Sequence, residues 1–156
     1  MRSRTAKWFE CKVCYEKVME DGICKKVTES YVVDALSFSE AETRITEEMS
    51  SYISGEFEVV DIKIAQYKEI FFSDEDTAGV WYKAKLAFIT IDEKTCKEKR
   101  SNVVYLVNAA SLEGAIRNVN EVMGATMIDY QSVAVQETLH MDVFEYGKDN
   151  DNSEHE

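Results

Sequence analysis

A chain of 156 residues that is 45% hydrophobic and 11% aromatic can build one compact domain, or two half-sized units that share a core. Its formal net charge of −12 repels phosphate backbones at long range, which disfavours unassisted binding to duplex nucleic acid. No run approaches the roughly 20 apolar residues that cross a bilayer, and no signal-peptide pattern follows the basic first residues. We therefore expect a cytoplasmic protein with no membrane partner, whose four cysteines are thiols.

The first predicted elements are two strands joined by a turn. From Trp8 onward, apolar and polar residues alternate with the period of two that is typical of a half-buried strand. The apolar members of this alternation are Phe9, Cys11, Val13 and Tyr15. A turn around Gly22 leads into a second strand that ends near Val33, and the pair is predicted to be a hairpin.

A helix and a long strand follow. Ser37 is predicted to cap the helix, and Glu40 completes the pattern of a capping box. Apolar residues then recur at spacings of three and four, which indicates a helix with one buried stripe. The stripe consists of Phe38, Ala41, Ile45, Met49 and Tyr52. The third strand is predicted over residues 56–72, and this length favours a bulge near Ala65.

The same order of elements is predicted a second time. Trp8 and Trp81 begin similar strands 73 positions apart, and Tyr31 matches Tyr105 at a shift of 74. Ser111 is the second helix cap, and a final strand is predicted from about residue 129 to 144. The second stripe consists of Leu112, Ala115, Val119 and Met123. So much ordered agreement predicts an internal duplication.

The predicted fold class is α+β: a tandem duplication of a strand-strand-helix-strand unit, forming a mostly antiparallel sheet with both helices on one face. The whole is expected to be one globular domain. Its predicted parts are an N-terminal extension (1–6), a first repeat (7–72), an acidic linker (73–79), a second repeat (80–146) and a disordered acidic tail (147–156).

Three stretches, WFECKVCYEK, VTESYVVDALSFSEAE and SGEFEVVDIKIAQYKEIFF, resemble a family known as the domain of unknown function numbered 4494. Its members are small proteins of gut bacteria and their phages. The resemblance runs from about residue 7 to residue 146 and implies an intact, recurring domain. It implies no activity, cofactor or site residue.

Cys11 and Cys14 have the spacing of zinc and redox motifs, which makes them weak candidates for a metal site. However, residues three apart in a strand point to opposite faces. The matching positions in the second repeat are Ala84 and Ala87, which favours a packing role for both cysteines. His140 matches Tyr67 and is expected to be a surface ring rather than a general base. No catalytic motif is found, so we expect no cofactor and name no catalytic residue.

Aromatic and basic residues share one predicted strand face in each repeat. Bases stack on aromatic rings and lysines contact phosphates, so this face is a candidate for binding single-stranded nucleic acid. The candidate residues are Trp8, Lys12, Trp81, Lys83 and Lys85. The alternative is that each tryptophan covers the end of the core.

Three hypotheses for function follow. The first is a non-enzymatic interaction protein that binds a protein partner through sheet edges or its acidic surface, in phage or mobile-element biology. The second is an accessory protein that binds single-stranded nucleic acid through the tryptophan and lysine face. The third is a metal- or thiol-dependent enzyme centred on Cys11 and Cys14.

Overall fold

The structure, a computed structural model, describes residues 1–146, and within them the chain forms nine strands and two helices. The predicted α+β class is confirmed. The predicted disordered tail, residues 147–156, lies outside the described residues. In chain order the elements are β1 (Arg2–Arg4), β2 (Trp8–Val18), β3 (Cys24–Asp34), α1 (Phe38–Tyr52), β4 (Phe57–Ala65), β5 (Glu69–Phe72), β6 (Val80–Ile91), β7 (Glu98–Ala109), α2 (Leu112–Gly124), β8 (Tyr130–Glu137) and β9 (His140–Phe144).

The strands form two sheets, whereas the sequence predicted a single sheet with both helices on one face. One sheet has the order β1-β5-β7-β6-β8, and the other has the order β4-β2-β3-β9. Most pairs are antiparallel, but β5 pairs with β7 and β9 with β3 in parallel. The difference arises because each long third strand is divided, and its two parts hydrogen-bond in different sheets.

The chain folds into two compact units. Unit 1 combines residues 1–5 with 66–138, and unit 2 combines residues 6–65 with the segment that begins at Leu139. The chain therefore passes between units before β2, after β4 and after β8. Each unit holds one helix, so the bounds of the units differ from those of the predicted repeats. The predicted N-terminal extension contributes β1 to unit 1, where it pairs with β5.

Both predicted hairpins are present. In the β2–β3 hairpin, pairing runs from Trp8 opposite Asp34 to Val18 opposite Cys24. Gly22 has a φ of +82° in the turn, a conformation that only glycine adopts without strain, and its amide donates to the Met19 carbonyl at 2.9 Å. The β6–β7 hairpin closes through a bond of 2.8 Å from the Cys96 amide to the Asp92 carbonyl.

A β-bulge interrupts each sheet at Val60 and Val133, not near Ala65 as the sequence predicted. Pairing of β2 with β4 skips Val60, and pairing of β6 with β8 skips Val133. Near Ala65 the strand ends, because the residues that follow join the sheet of unit 1. A bulge leaves one residue without a cross-strand partner and increases the local twist.

Each helix packs its apolar stripe on the sheet of its own unit. In unit 2, Ala41, Ile45 and Met49 of α1 are buried against a cluster that includes Phe9 and Val33. The Ser37 hydroxyl accepts from the Glu40 amide at 3.2 Å, which confirms the predicted cap. None of the helices in the described part of the chain is long and apolar enough to cross a bilayer.

The core of unit 1 is built in the same way. Ala115, Val119 and Met123 of α2 are buried with residues of β6 and β7. The Ser111 hydroxyl accepts from the Gly114 amide at 3.1 Å and caps the helix. Three residues of the predicted stripes are not buried: Phe38 is 51%, Leu112 47% and Tyr52 71% exposed, although the Phe38 ring packs edge-on against Phe9.

Candidate functional site

The structure separates the residues of the candidate nucleic-acid face. Trp8 and Trp81 are buried, with exposed fractions of 1% and 5%, whereas Lys12, Lys83 and Lys85 are exposed. A buried indole offers no ring face for a base to stack on. The burial of both tryptophans agrees with the alternative interpretation, in which they pack in the interior. Of the five candidate residues, only the three lysines are exposed.

The two cysteines of the candidate metal site lie on opposite faces of β2. Cys11 packs in the core of unit 2, where burial raises the pKa of its thiol to about 12. Cys14 lines an open cleft of about 560 Å³ together with Cys24, Lys26 and Phe57. Within residues 1–146, no three side chains of His, Cys, Asp or Glu lie close enough together to hold a metal ion.

A polar array that the sequence did not predict lies on the sheet of unit 2. The Ser30 hydroxyl and His140 Nδ1 are 2.9 Å apart, and His140 Nε2 lies 3.4 Å from a carboxylate oxygen of Glu10. The prediction that His140 is a surface ring is wrong, because only 9% of its side chain is exposed. The ring is buried because β9 pairs with β3 and places His140 opposite Ser30.

The array has the residue types of a serine hydrolase triad, but its surroundings favour a structural role. Ser30 lies within a strand that pairs on both sides, so its backbone amide is not placed as an oxyanion donor. The Glu10 carboxylate also forms an ion pair of 3.5 Å with Lys63. We interpret the array as the attachment of β9 to its sheet. Ser30 and His140 are 110 residues apart in the sequence, and nothing in either predicted repeat indicates that they come into contact.

The edge strands β4 and β8 occupy the same place in their sheets but differ in charge. Within the described residues, β4 pairs only with β2, and β8 pairs only with β6. Edge strands are usually protected against further pairing by charged side chains. β4 carries three such residues, Glu58, Asp61 and Lys63. At the matching register positions, β8 carries Gln131, Ala134 and Gln136.

The open side of β8 can be assigned from the hydrogen bonds on its paired side. The Thr138 amide donates to the Trp81 carbonyl at 2.9 Å, and the Ile89 amide donates to the Asp129 carbonyl at 2.9 Å. Backbone groups alternate in direction along an antiparallel strand, and the bulge at Val133 shifts the alternation by one residue. The residues whose amide and carbonyl groups point away from β6 are therefore Tyr130, Ser132, Val135 and Glu137.

Two lysines lie next to this open edge. Lys83 is paired with Leu106 and Gln136, and Lys85 is paired with Val104 and Ala134. Both are exposed, and neither forms an ion pair with any residue between 1 and 146. In unit 2 the corresponding arrangement is balanced, because Glu10 contacts Lys63 and Lys12 is paired with Asp61.

The sequence profile of a family described as "Domain of unknown function (DUF4494)" matches residues 7–146. The chain belongs to this family. No curated protein and no solved structure matches the chain. The DUF4494 match includes both hairpins, both helices and the edge strands β4 and β8, and it leaves out β1. The match therefore covers residues of both units, and DUF4494 brings no site residue with it.

Proposed function

We propose that this chain is a non-enzymatic protein-binding module that accepts an extended segment of a partner protein as an additional strand at the edge of β8. The observation that carries the proposal is the difference between the two edges. β4 bears three charged residues of the kind that block further pairing, whereas β8 bears one, Glu137, at its last position. Main-chain hydrogen bonds to an open edge are an established mode of peptide recognition.

The exposure of β8 supports this function. Gln131, Ser132, Ala134, Gln136 and Glu137 are all exposed. The outward amide and carbonyl groups lie in two short runs on either side of the bulge at Val133, so an added strand has pairing groups on both sides of it. A segment that pairs with β8 therefore gains main-chain hydrogen bonds without displacing a side chain from the core.

The test is to select extended peptides that bind the full chain from a displayed random library and to map them by NMR. We expect the amides of Val135 and Glu137 to shift on binding, and the amides of β4 to stay unchanged. The decisive variant is Glu137→Pro, which removes one outward donor while leaving every β6–β8 hydrogen bond in place. We expect it to abolish binding, and Glu137→Ala to retain it.

A matched control is offered by β4. Ile64 is paired with Phe9 as Glu137 is paired with Tyr82, so Ile64→Pro makes the same backbone change at the other edge. We expect this variant to bind like the wild type. A second blocking variant copies the charges of β4 onto β8 through Gln131→Glu, Ala134→Asp and Gln136→Lys. It should also lose binding, and it gives the answer if the proline variant fails to fold.

Two outcomes would overturn the proposal. One is that peptides bind Glu137→Pro as well as the wild type, or shift the amides of β4 instead. The other is that the protein alone sediments as a dimer through β8, which would make a second copy the natural occupant of the edge. Sedimentation of the wild type and of the charged variant separates these cases.

For the setting of this function we propose the bacterial cytoplasm and phage or mobile-element biology. The family resemblance and the four cysteines support that setting, because exposed thiols such as Cys24 and Cys96 persist in a reducing compartment. Fractionation of a tagged copy expressed in a bacterial host, before and during phage infection, tests it. Recovery from the periplasm or the medium would contradict it.

A further inference from the structure

We infer that the segment accepted at β8 carries acidic side chains at alternate positions, which Lys83 and Lys85 recognise. This inference rests on the proposed function, and it adds the chemistry of the partner. It depends on the pair of lysines that lie one strand away from the open edge and have no acidic neighbour across either adjacent strand.

Lys83 and Lys85 of unit 1 form a pair of positive charges with no acidic residue opposite them on β7 or β8. Lys83 and Lys85 are two residues apart on one strand, so their side chains share a face about 7 Å apart. Like charges at this distance repel each other. In unit 2 the edge strand itself supplies opposite charges, with Lys63 3.5 Å from Glu10. In unit 1 the edge strand places Gln136 and Ala134 at these positions, so none of the cross-strand neighbours of the two lysines is acidic and the pair is accessible to carboxylates of a partner.

The lysine side chains of β6 are long enough to contact acidic side chains on a strand added beyond β8. Strands lie about 4.8 Å apart, so an added strand lies roughly 10 Å from β6, with β8 between them. This distance is within the combined length of a lysine side chain and a glutamate side chain. The residue that Lys85 must cross is Ala134, whose methyl group leaves the path over β8 open.

The spacing of Lys83 and Lys85 matches that of alternate residues on an added strand. Residues two apart on an added strand point to the same face and repeat at the same interval as Lys83 and Lys85. A segment with the pattern acidic-x-acidic therefore places both carboxylates opposite both ammonium groups in a single register. A lone acidic residue fits more than one register, so two alternate acidic residues also define how the segment is aligned.

Salt dependence distinguishes this local recognition from the field of the whole chain. The net charge of −12 repels an acidic segment, so if that field dominated, added salt would strengthen binding. If the lysine pair dominates, added salt weakens binding, because it screens the local attraction. We expect binding of an acidic peptide to weaken as salt is raised.

The experiment uses one β8-binding peptide made with Glu, Gln or Lys at the two alternate positions, titrated against the full chain. The wild type should prefer Glu to Gln by about threefold per carboxylate at low salt, and should bind the Lys peptide most weakly. The double variant Lys83→Glu, Lys85→Glu should reverse the order. Lys12→Glu, at the matching position of unit 2, should leave the order of the wild type unchanged.

The outcomes separate the inference from the function on which it rests. If the Glu and Gln peptides bind equally and Glu137→Pro still abolishes binding, the inference is wrong and the proposed function stands. If Glu137→Pro leaves binding intact, the proposed function fails. If a short oligothymidylate binds with dependence on Lys83 and Lys85 but not on Glu137→Pro, this face binds nucleic acid, and the inference is overturned.

Discussion

The side-chain amide of Asn118 donates a hydrogen bond of 3.0 Å to the main-chain oxygen of Asn108, ten residues earlier in the chain. In unit 2 the Arg44 guanidinium donates to the main-chain oxygen of Asp34 across the same interval. Each contact joins a helix to the end of the strand that precedes it. The two units thus use one geometry with different chemistry, a neutral amide in unit 1 and a charged group in unit 2.

Replacing Arg44 by alanine should cost more stability than replacing Asn118. Arg44 also lies 3.5 Å from the carboxylate of Asp34, which is only 4% exposed, and 2.6 Å from that of Glu40. Arg44→Ala removes a charged group that contacts two carboxylates and a main-chain oxygen, a loss of about 3 kcal/mol, whereas Asn118→Ala removes one neutral hydrogen bond, a loss of about 1 kcal/mol. Urea unfolding measures both. Equal losses would contradict this account.

Placing a charge in either helix stripe should destabilise the protein strongly. Met49 and Met123 are buried in the cores of unit 2 and unit 1, with exposed fractions of 1% and 3%. Met49→Asp and Met123→Asp each bury an unpaired carboxylate, and we expect losses of about 4 kcal/mol or more in thermal or chemical unfolding.

The controls for this prediction lie near the same helices. Ser51 is exposed and Met127 is 101% exposed, so Ser51→Asp and Met127→Asp should change the free energy of unfolding by less than about 0.5 kcal/mol. If one of the two buried variants unfolds the protein while the other is silent, the helices do not play equivalent roles.

Thiol reactivity should divide the cysteines by exposure. Burial raises the pKa of the Cys11 thiol to about 12, so at pH 8 only on the order of one molecule in ten thousand carries the reactive thiolate. Cys24 and Cys96 are exposed. A chromogenic disulfide reagent should label those two rapidly and Cys11 only after denaturation. At pH 9 Cys11 should still be absent from the rapid phase, because that pH is far below its pKa.

The matched control is the double variant Cys24→Ser, Cys96→Ser, which should lose the rapid phase. Mass spectrometry of the labelled protein identifies the sites. Rapid labelling of Cys11 in the native protein would show that the core of unit 2 opens readily.

Removing the His140 ring should loosen β9. His140→Ala deletes the 2.9 Å contact with Ser30 and the 3.4 Å contact with Glu10, and we expect a loss of about 1 kcal/mol with faster hydrogen exchange of the β9 amides. Met141 is the neighbouring residue and is 52% exposed, so Met141→Ala should leave exchange unchanged. Unchanged exchange in His140→Ala would mean that the array does not hold β9 in place.

The sequence predicted the features that depend on neighbouring residues. The hairpin turn at Gly22, the caps Ser37 and Ser111 and the buried positions of both helix stripes follow from patterns within a few residues, and the structure has them. The long third strand misled the prediction, because its apolar pattern continues while its hydrogen-bond partner changes. Alternation reports which side chains face the core, but it does not report the sheet in which a segment pairs.

The candidate surface needed pairing information that the sequence does not hold. Lys83 and Lys85 were predicted to lie on one strand face, and the structure places them there. The neighbours of these lysines on β8 are Gln136 and Ala134. This pairing depends on the register of β8, which a bulge shifts by one residue. The burial of Trp8 and Trp81 likewise depends on the tertiary fold, because a strand face can be covered at one end and exposed at the other.

The division of the third strands has a consequence for synthesis. As the chain leaves the ribosome from its N-terminus, unit 1 is complete once residue 138 has emerged, although its central strands are made after those of unit 2. Unit 2 begins first but needs β9, the parallel neighbour of β3, which follows unit 1 in the chain. In the nascent protein the β3 edge of the earlier hairpin therefore stays unpaired until β9 has emerged.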